Sequence, residues 1–344
     1  MVRELLNTLY VTRPNAYVRL ENDAVKVEDG DEVLGRVPLH HLGGIVLMGA
    51  ASISPRLLER CAEDGRTVTL LDRGGRFKCR IEGPTSGNVL LRSAQYEALR
   101  TPERCLALAK AFVAGKIRNS RRTLLRASRE TTRDEDQESL RSATDAMEAL
   151  LSQLPAAETL DGVRGVEGQA AALYFDVFGA MITAPSEEFS FRLRTRRPPR
   201  DRVNAVLSFL YSMLTTECVS ACEGTGLDPQ FGYLHALRPG RPALALDLME
   251  EFRSGIADRL ALTLINRRQL RPTHFVEREG GSVLLSDEGR KIVLTAHQSR
   301  KQEETPHVLL KGKAPIGLIP HLQARLLARH LRGDLEQYPP FLGL

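Results

Sequence analysis

The chain has 344 residues, 42% of them hydrophobic, and a formal net charge of +5. That length and apolar content exclude a disordered chain and allow one large core or two moderate ones, so two domains are expected. No apolar run approaches the ~18 to 20 residues of a membrane span, and the start, MVRELLNTLYVT, has no signal-peptide pattern; the expectation is a cytoplasmic protein with no membrane partner.

Residues 1–85 read as a small β-sheet domain with one helix. Thr8 to Thr12, Tyr17 to Leu20, Ala24 to Val27, Glu32 to Pro38 and Gly44 to Met48 are short β-branched or alternating runs, parted by Pro14-Asn15, Glu21-Asn22-Asp23 and Asp29-Gly30-Asp31. Ser54 to Asp64 reads as a helix with Ser54 as N-cap and Pro55 at N1, stopped by Gly65. Thr67 to Leu71 and Phe77 to Glu82 read as two more strands around Arg73-Gly74-Gly75. Gly83-Pro84-Thr85-Ser86-Gly87 is the expected domain boundary.

Residues 86–344 read as a larger all-α domain, so the fold class is α+β with two domains. A 3.6-residue period runs through Asn88 to Leu99, Pro102 to Arg129, Glu135 to Leu154, Gly168 to Met181, Asp201 to Glu223, Asp247 to Asn266 and His321 to Arg332. A hairpin is expected across Phe275 to Leu285, around Glu279-Gly280-Gly281. The five cysteines are odd in number and form no CxxC pair, which predicts buried reduced thiols and no zinc or redox site.

Charge is unevenly placed. Residues 1–86 carry 12 basic and 12 acidic side chains, and the remainder carries 36 against 31. The excess gathers in Lys116 to Arg133, with seven basic residues and one acidic, and in Arg192 to Arg202, with six arginines in eleven positions. Such runs suit the phosphate backbone of a nucleic acid, with a solvated helix face for the first and a mobile loop for the second as the other reading; Lys116, Arg122, Arg196, Arg197 and Arg200 are the candidates for positioning it without reading its sequence.

Glu167 heads the same helical face as Ala170, Leu173, Tyr174, Val177, Phe178 and Met181, flanked by Gly162, Gly165 and Gly168. A carboxylate turned toward a core needs a cation, a proton or a metal. The glycines let backbone or a phosphate come close. Asp247 and Glu250 are i, i+3 neighbours at the head of a predicted helix, free to point at one spot, with Arg253 one turn on. With His235 ahead of a Pro-containing turn, these residues form an oxygen-rich set with one imidazole, which favours Mg²⁺ or Mn²⁺ over zinc. Spacing alone leaves ordinary surface carboxylates and a satisfied histidine as the other reading.

GVEG at Gly165 to Gly168, GYLH at Gly232 to His235 and DLMEEFR at Asp247 to Arg253, with RTRRPPRDRVNAVLSFLYS between the first two, resemble the CRISPR-associated integrase of spacer acquisition, the first-numbered Cas protein family. The likeness extends to NTLYVTRPNAYVRLENDAVKV and GKIRNSRRTLL, and the wording looks closest to the subtype I-C branch. The resemblance implies an N-terminal β domain that dimerises, a C-terminal helical catalytic domain, metal ligands at Glu167, His235 and Glu250, and Asp247 as the second acid. Glu250 stands where several relatives carry Asp. It also implies 3′-hydroxyl strand transfer into a CRISPR array, with Arg253 near the reacting phosphate. Implied partners are double-stranded DNA (spacer precursor and CRISPR repeat), a second copy of the chain, and the small ferredoxin-like second-numbered Cas protein. A repair or junction nuclease, and a DNA-binding scaffold with merely structural acids, are the competing readings.

Overall fold

The computed structural model describes residues 7–72, 77–81, 83, 89–307 and 312–343. These divide into two compact units, one made of the N-terminal residues with Leu285–Thr295 and the other of the remainder. The turn at 73–75 and most of the expected boundary, 84–87, lie outside the described residues.

The first unit is built from β1 (Asn7–Val11), β2 (Tyr17–Glu21), β3 (Ala24–Asp29), β4 (Glu32–Pro38), β5 (Leu42–Met48), β6 (Ser52–Ile53), α1 (Pro55–Glu63), β7 (Thr67–Leu71) and β8 (Phe77–Ile81). One sheet has the order β1-β5-β7-β8 and the other β4-β3-β2-β6. β5 pairs in parallel with β1 and β7, and all but one of its residues are buried, as an unbroken apolar run in a central strand should be. The β2 to β3 hairpin turns on Asn22 and Asp23, both at positive φ (49° and 56°). Ser54 caps α1 by accepting from Leu57 N, and Val18, Val25, Ile45, Leu57 and Val68 are fully buried between the elements. The two-residue β6 is too short to show a period, which is why the sequence hides it.

In the second unit the helices are α2 (Val89–Arg100), α3 (Pro102–Glu130), α4 (Asp134–Gln153), α5 (Leu160–Asp176), α6 (Arg202–Gly224), α7 (Ala243–Met249), α8 (Arg259–Asn266), α9 (Asp287–Gln302, in part assigned to the first unit) and α10 (Ile319–Leu331). It is not all-α: the expected hairpin is β9 (Phe275–Arg278) with β10 (Ser282–Leu285), and a second pairs β11 (Glu304–His307) with β12 (Gly312–Pro315). The segment Leu285–Thr295 also leaves the expected 86–344 domain for the first unit. α6 is long and apolar enough to cross a membrane by composition, contrary to the sequence expectation, yet 67% of that window is buried within the protein, so it is a core helix. Cys61, Cys105, Cys218 and Cys222 are buried and outside any disulfide, while Cys79 is exposed. Burial pushes the Cys61 thiol up to about 11, which keeps it protonated and inert.

Two predicted helices differ in a way that shapes the site. α5 starts at Leu160, not Gly168, because Thr159 caps it by accepting from Gly162 N at 3.1 Å, and the buried Val163, Ala170 and Tyr174 hold three glycines in helical form. The expected helix Asp247 to Asn266 is broken: α7 ends at Met249, a turn follows, and Arg253–Asp258 is π-helical before α8.

Candidate active site

Asp247 organises the His235 turn. Its Oδ2 accepts from Tyr233 N (2.5 Å) and Leu234 N (3.0 Å), and its Oδ1 accepts from His235 N (2.9 Å) and His235 Nδ1 (2.7 Å). A carboxylate at 0% exposure that accepts four hydrogen bonds is satisfied without a metal. Because a carboxylate only accepts, Nδ1 carries the proton and Nε2 is left with its lone pair, the tautomer a metal-binding histidine needs. Gly232 makes this possible: a Cβ there would lie 2.5 Å from Ala243 C and 2.7 Å from Asp247 Oδ2. On the other side Arg164 Nε donates to Leu234 O at 2.8 Å, tying the turn to α5.

Glu250 does not share a spot with Asp247, as the i, i+3 spacing suggested; the turn amides claim Asp247, and Glu250 faces cations instead. Arg253 Nη1 donates to its Oε1 at 2.7 Å, and Lys116 Nζ lies 2.7 Å from its Oε2. Burial pushes the Glu250 carboxyl up, but Arg253, Lys116 and then His235 outweigh it and hold the group well below the usual carboxylate range. Lys116 also pairs with Glu167 Oε1, so one ammonium joins the two acids. The acids are therefore not left to repel one another. This corrects the expectation for Lys116, whose side chain on the buried face of α3 is only 10% exposed and is not laid out on the surface for DNA.

Arg253 stacks over the Tyr211 ring with Cζ 4.3 Å from the centroid, and Arg194 reaches the same ring at 5.2 Å. Tyr211 and Tyr174 donate to Asp258 at 2.6 and 3.0 Å, and burial lifts that carboxyl to about 6. Arg194 also donates to Asn204 Oδ1 (2.6 Å) and Ser208 Oγ (3.1 Å), so Ser208 and Tyr211 are packing and hydrogen-bonding residues.

Among the described residues no three His, Cys, Asp or Glu side chains stand close enough to enclose an ion as they are. The Lys116 ammonium takes that place. Glu250 Oε2 is nevertheless fully buried, with the Lys116 ammonium 2.7 Å away as its charged partner. Two carboxylates joined by one ammonium, with the His235 imidazole close enough to act on Glu250, are an oxygen-rich donor set of the kind that suits Mg²⁺ or Mn²⁺.

Beside this set lie guanidiniums that the sequence reading passed over. Burial first, then repulsion from Arg238, Arg197 and Arg164, draws the Arg241 pKa down. That places Arg197, of the arginine-rich segment, in one electrostatic neighbourhood with the His235 loop. Arg196 and Arg197 are exposed, whereas Arg200 is tied to the β9 to β10 hairpin through Gly280 O at 2.5 Å. Arg122 is exposed in a different cluster, where burial and then Arg300, Arg126 and Arg122 lower Arg259 to about 10. The missed signal was Arg238-Pro239-Gly240-Arg241: read as a turn, it also carries two arginines next to the histidine.

Comparison with known proteins adds three findings. A profile of the family described as CRISPR associated protein Cas1 matches residues 9–299. The CRISPR-associated endonuclease Cas1 1 of Moorella thermoacetica is 52% identical over 338 residues, covering 98% of either chain. Among solved structures, a casposase bound to integration product superposes with a TM-score of 0.83 at 23% identity, over 99% of this chain and 95% of that one. A chain of a Cas6-RT-Cas1–Cas2 complex gives a TM-score of 0.83 at 22% identity, over 99% of this chain and 37% of that one.

Proposed function

As a member of the CRISPR-associated Cas1 family this chain is an endonuclease, and we propose that it is the metal-dependent integrase that inserts new spacer DNA into a CRISPR array. The observation that carries this reading is the pair of carboxylates, Glu167 and the buried Glu250, held together by one shared ammonium. Glu167, Glu250 and His235 Nε2 would hold Mg²⁺ or Mn²⁺. When bound, the ion supplies Lewis-acid stabilisation of charge on the phosphoryl oxygens.

The chain's own residues do the rest. Asp247 fixes the His235 ring and its tautomer and is a positioning residue. Arg253, held by Glu250 and the Tyr211 ring, places a guanidinium where phosphate charge develops. Arg197, Arg238 and Arg241 face the DNA backbone. The 3′-hydroxyl oxygen of the incoming strand bonds to a target phosphorus as the bond to the target's 3′ oxygen breaks, releasing a new 3′-hydroxyl. One phosphodiester is exchanged for another, so no energy input and no covalent enzyme intermediate are needed.

The same reading assigns dimerisation to the N-terminal sheet unit, double-stranded DNA and a Cas2 protein as partners, and the cytoplasm as the place of action. It is supported by the likeness to a chain of a Cas1–Cas2 complex and to a casposase holding an integration product. The test supplies a 3′-hydroxyl duplex, Mn²⁺ and a repeat-bearing plasmid. Joined products that vanish with Glu167→Gln are expected; nicked plasmid without joined DNA would make the protein a nuclease only.

A further inference from the structure

Lys116 stands where the proposed function needs a cation. It belongs to the run of basic residues from Lys116 to Arg133, whose Arg118 and Arg122 face solvent, but on α3 it falls on the buried face with Gly115, Ile117, Asn119 and Ser120. An ammonium taken out of water costs several kcal/mol unless it is well paired and hydrogen-bonded. Here the pairing is with two carboxylates at once, Glu167 Oε1 and Glu250 Oε2, the latter 2.7 Å away. Those are two of the three side chains proposed above to hold the ion, so the ammonium sits between the ion's own ligands.

We propose that Lys116 is an internal counter-ion: it occupies the cation's place in the metal-free protein and is displaced when a divalent ion binds. The inference rests on the metal-dependent reading above and deepens it. Ligand oxygens sit ~2.0 to 2.6 Å from Mg²⁺, Mn²⁺ or similar hard ions, so an ion on Glu167 Oε1 and Glu250 Oε2 cannot coexist with an ammonium bonded to both. The two occupants exclude one another. Binding must therefore break two ion pairs, and the apparent affinity is lowered by the population of the closed, lysine-filled site.

The test titrates Mn²⁺ into DNA-free wild type, Lys116→Met and Glu167→Gln, reading bound ion by electron paramagnetic resonance. Methionine keeps a long apolar stem and removes the charge. The expected result is a Mn²⁺ dissociation constant about tenfold or more tighter in Lys116→Met, and weaker in Glu167→Gln. Equal or weaker binding by Lys116→Met, with wild type binding normally, overturns the counter-ion and leaves the metal reading standing. Wild type that binds no Mn²⁺ overturns the metal reading and the counter-ion together. Should Lys116→Met fail to fold, wild type itself decides: acylation of Lys116 by an amine-reactive ester, followed by mass spectrometry, should be suppressed in chelator and rise severalfold with Mn²⁺. An unchanged or slower rate overturns the proposal.

Discussion

Asp247 shows how one buried carboxylate sets a site without entering it. Its four acceptor contacts fix the turn that carries His235, and asparagine in its place would aim an amide donor at backbone N–H groups. Asp247→Asn should cost about 3 kcal/mol, the scale of charge-assisted hydrogen bonds left unmade, and weaken Mn²⁺ binding roughly 10- to 100-fold. Denaturation midpoints and Mn²⁺ titration check both; an unshifted midpoint would mean that the turn is held by something else. From the sequence Asp247 looked like a second acid beside Glu250. The i, i+3 spacing was legible, but the three turn amides that claim Asp247 come from a loop whose fold spacing does not encode. Glu167 was legible as an acid needing a partner, and its partner Lys116 was misplaced because a run of like charges looks solvated until one helix face is known.

At the scale of elements, α5 carries Gly165 and Gly168 with nothing within 4 Å of an added Cβ, so packing within the chain does not require them. Alanine at both should stabilise the helix by about 0.5 to 1 kcal/mol each. If the bare face serves close approach of DNA beside Glu167, melting temperature rises while DNA affinity falls; equal affinity would leave the glycines without a role in binding. The turn after α7 supplies a second element-scale test. Glu251 accepts from Tyr338 OH (2.7 Å), Phe341 N (2.6 Å) and Gln323 Nε2 (3.1 Å), fastening the C-terminal tail. Asn119 adds donors to Phe341 O and Glu251 O. Burial pushes the Glu251 carboxyl from 4.5 up to about 8, with the three hydrogen bonds pulling the other way. The folded protein thus binds a proton that the unfolded chain releases near pH 4.5. Glu251's contribution to stability is full below that pH and is lost as pH rises through about 8. Hydrogen exchange at 338–343, corrected for intrinsic rates, should quicken from pH 7 to pH 9; a flat profile would show that the tail is held independently of Glu251. None of this was visible in DLMEEFR, where Glu251 looks like a third surface acid. The caps and breaks that were visible, Ser54, Pro55 and the Asn22-Asp23 turn, act within a few residues, whereas the π-helical segment and the tail depend on contacts far apart in the chain.

Over the whole molecule, the β-rich start and the helical remainder were legible because their periods are 2 and 3.6 over long stretches; the short β6 and the second hairpin offered too few residues to count. The uneven charge was legible as well, though its arrangement into two arginine clusters was not. If Arg197 and Arg241 each meet a phosphate, replacing both with alanine should weaken DNA binding irrespective of sequence and flatten the slope of log affinity against log salt by nearly 2, about 0.9 per lost contact. An unchanged slope would remove that cluster from the interface. The central claim is that Glu167, Glu250 and His235 share one divalent ion beside that cluster. Anomalous diffraction from Mn²⁺-soaked crystals tests it most directly. One peak within about 2.6 Å of both carboxylates and of His235 Nε2, with Asp247 still bonded to Nδ1, is the predicted result; no peak there, or an ion held by Asp247 with His235 turned away, would contradict it.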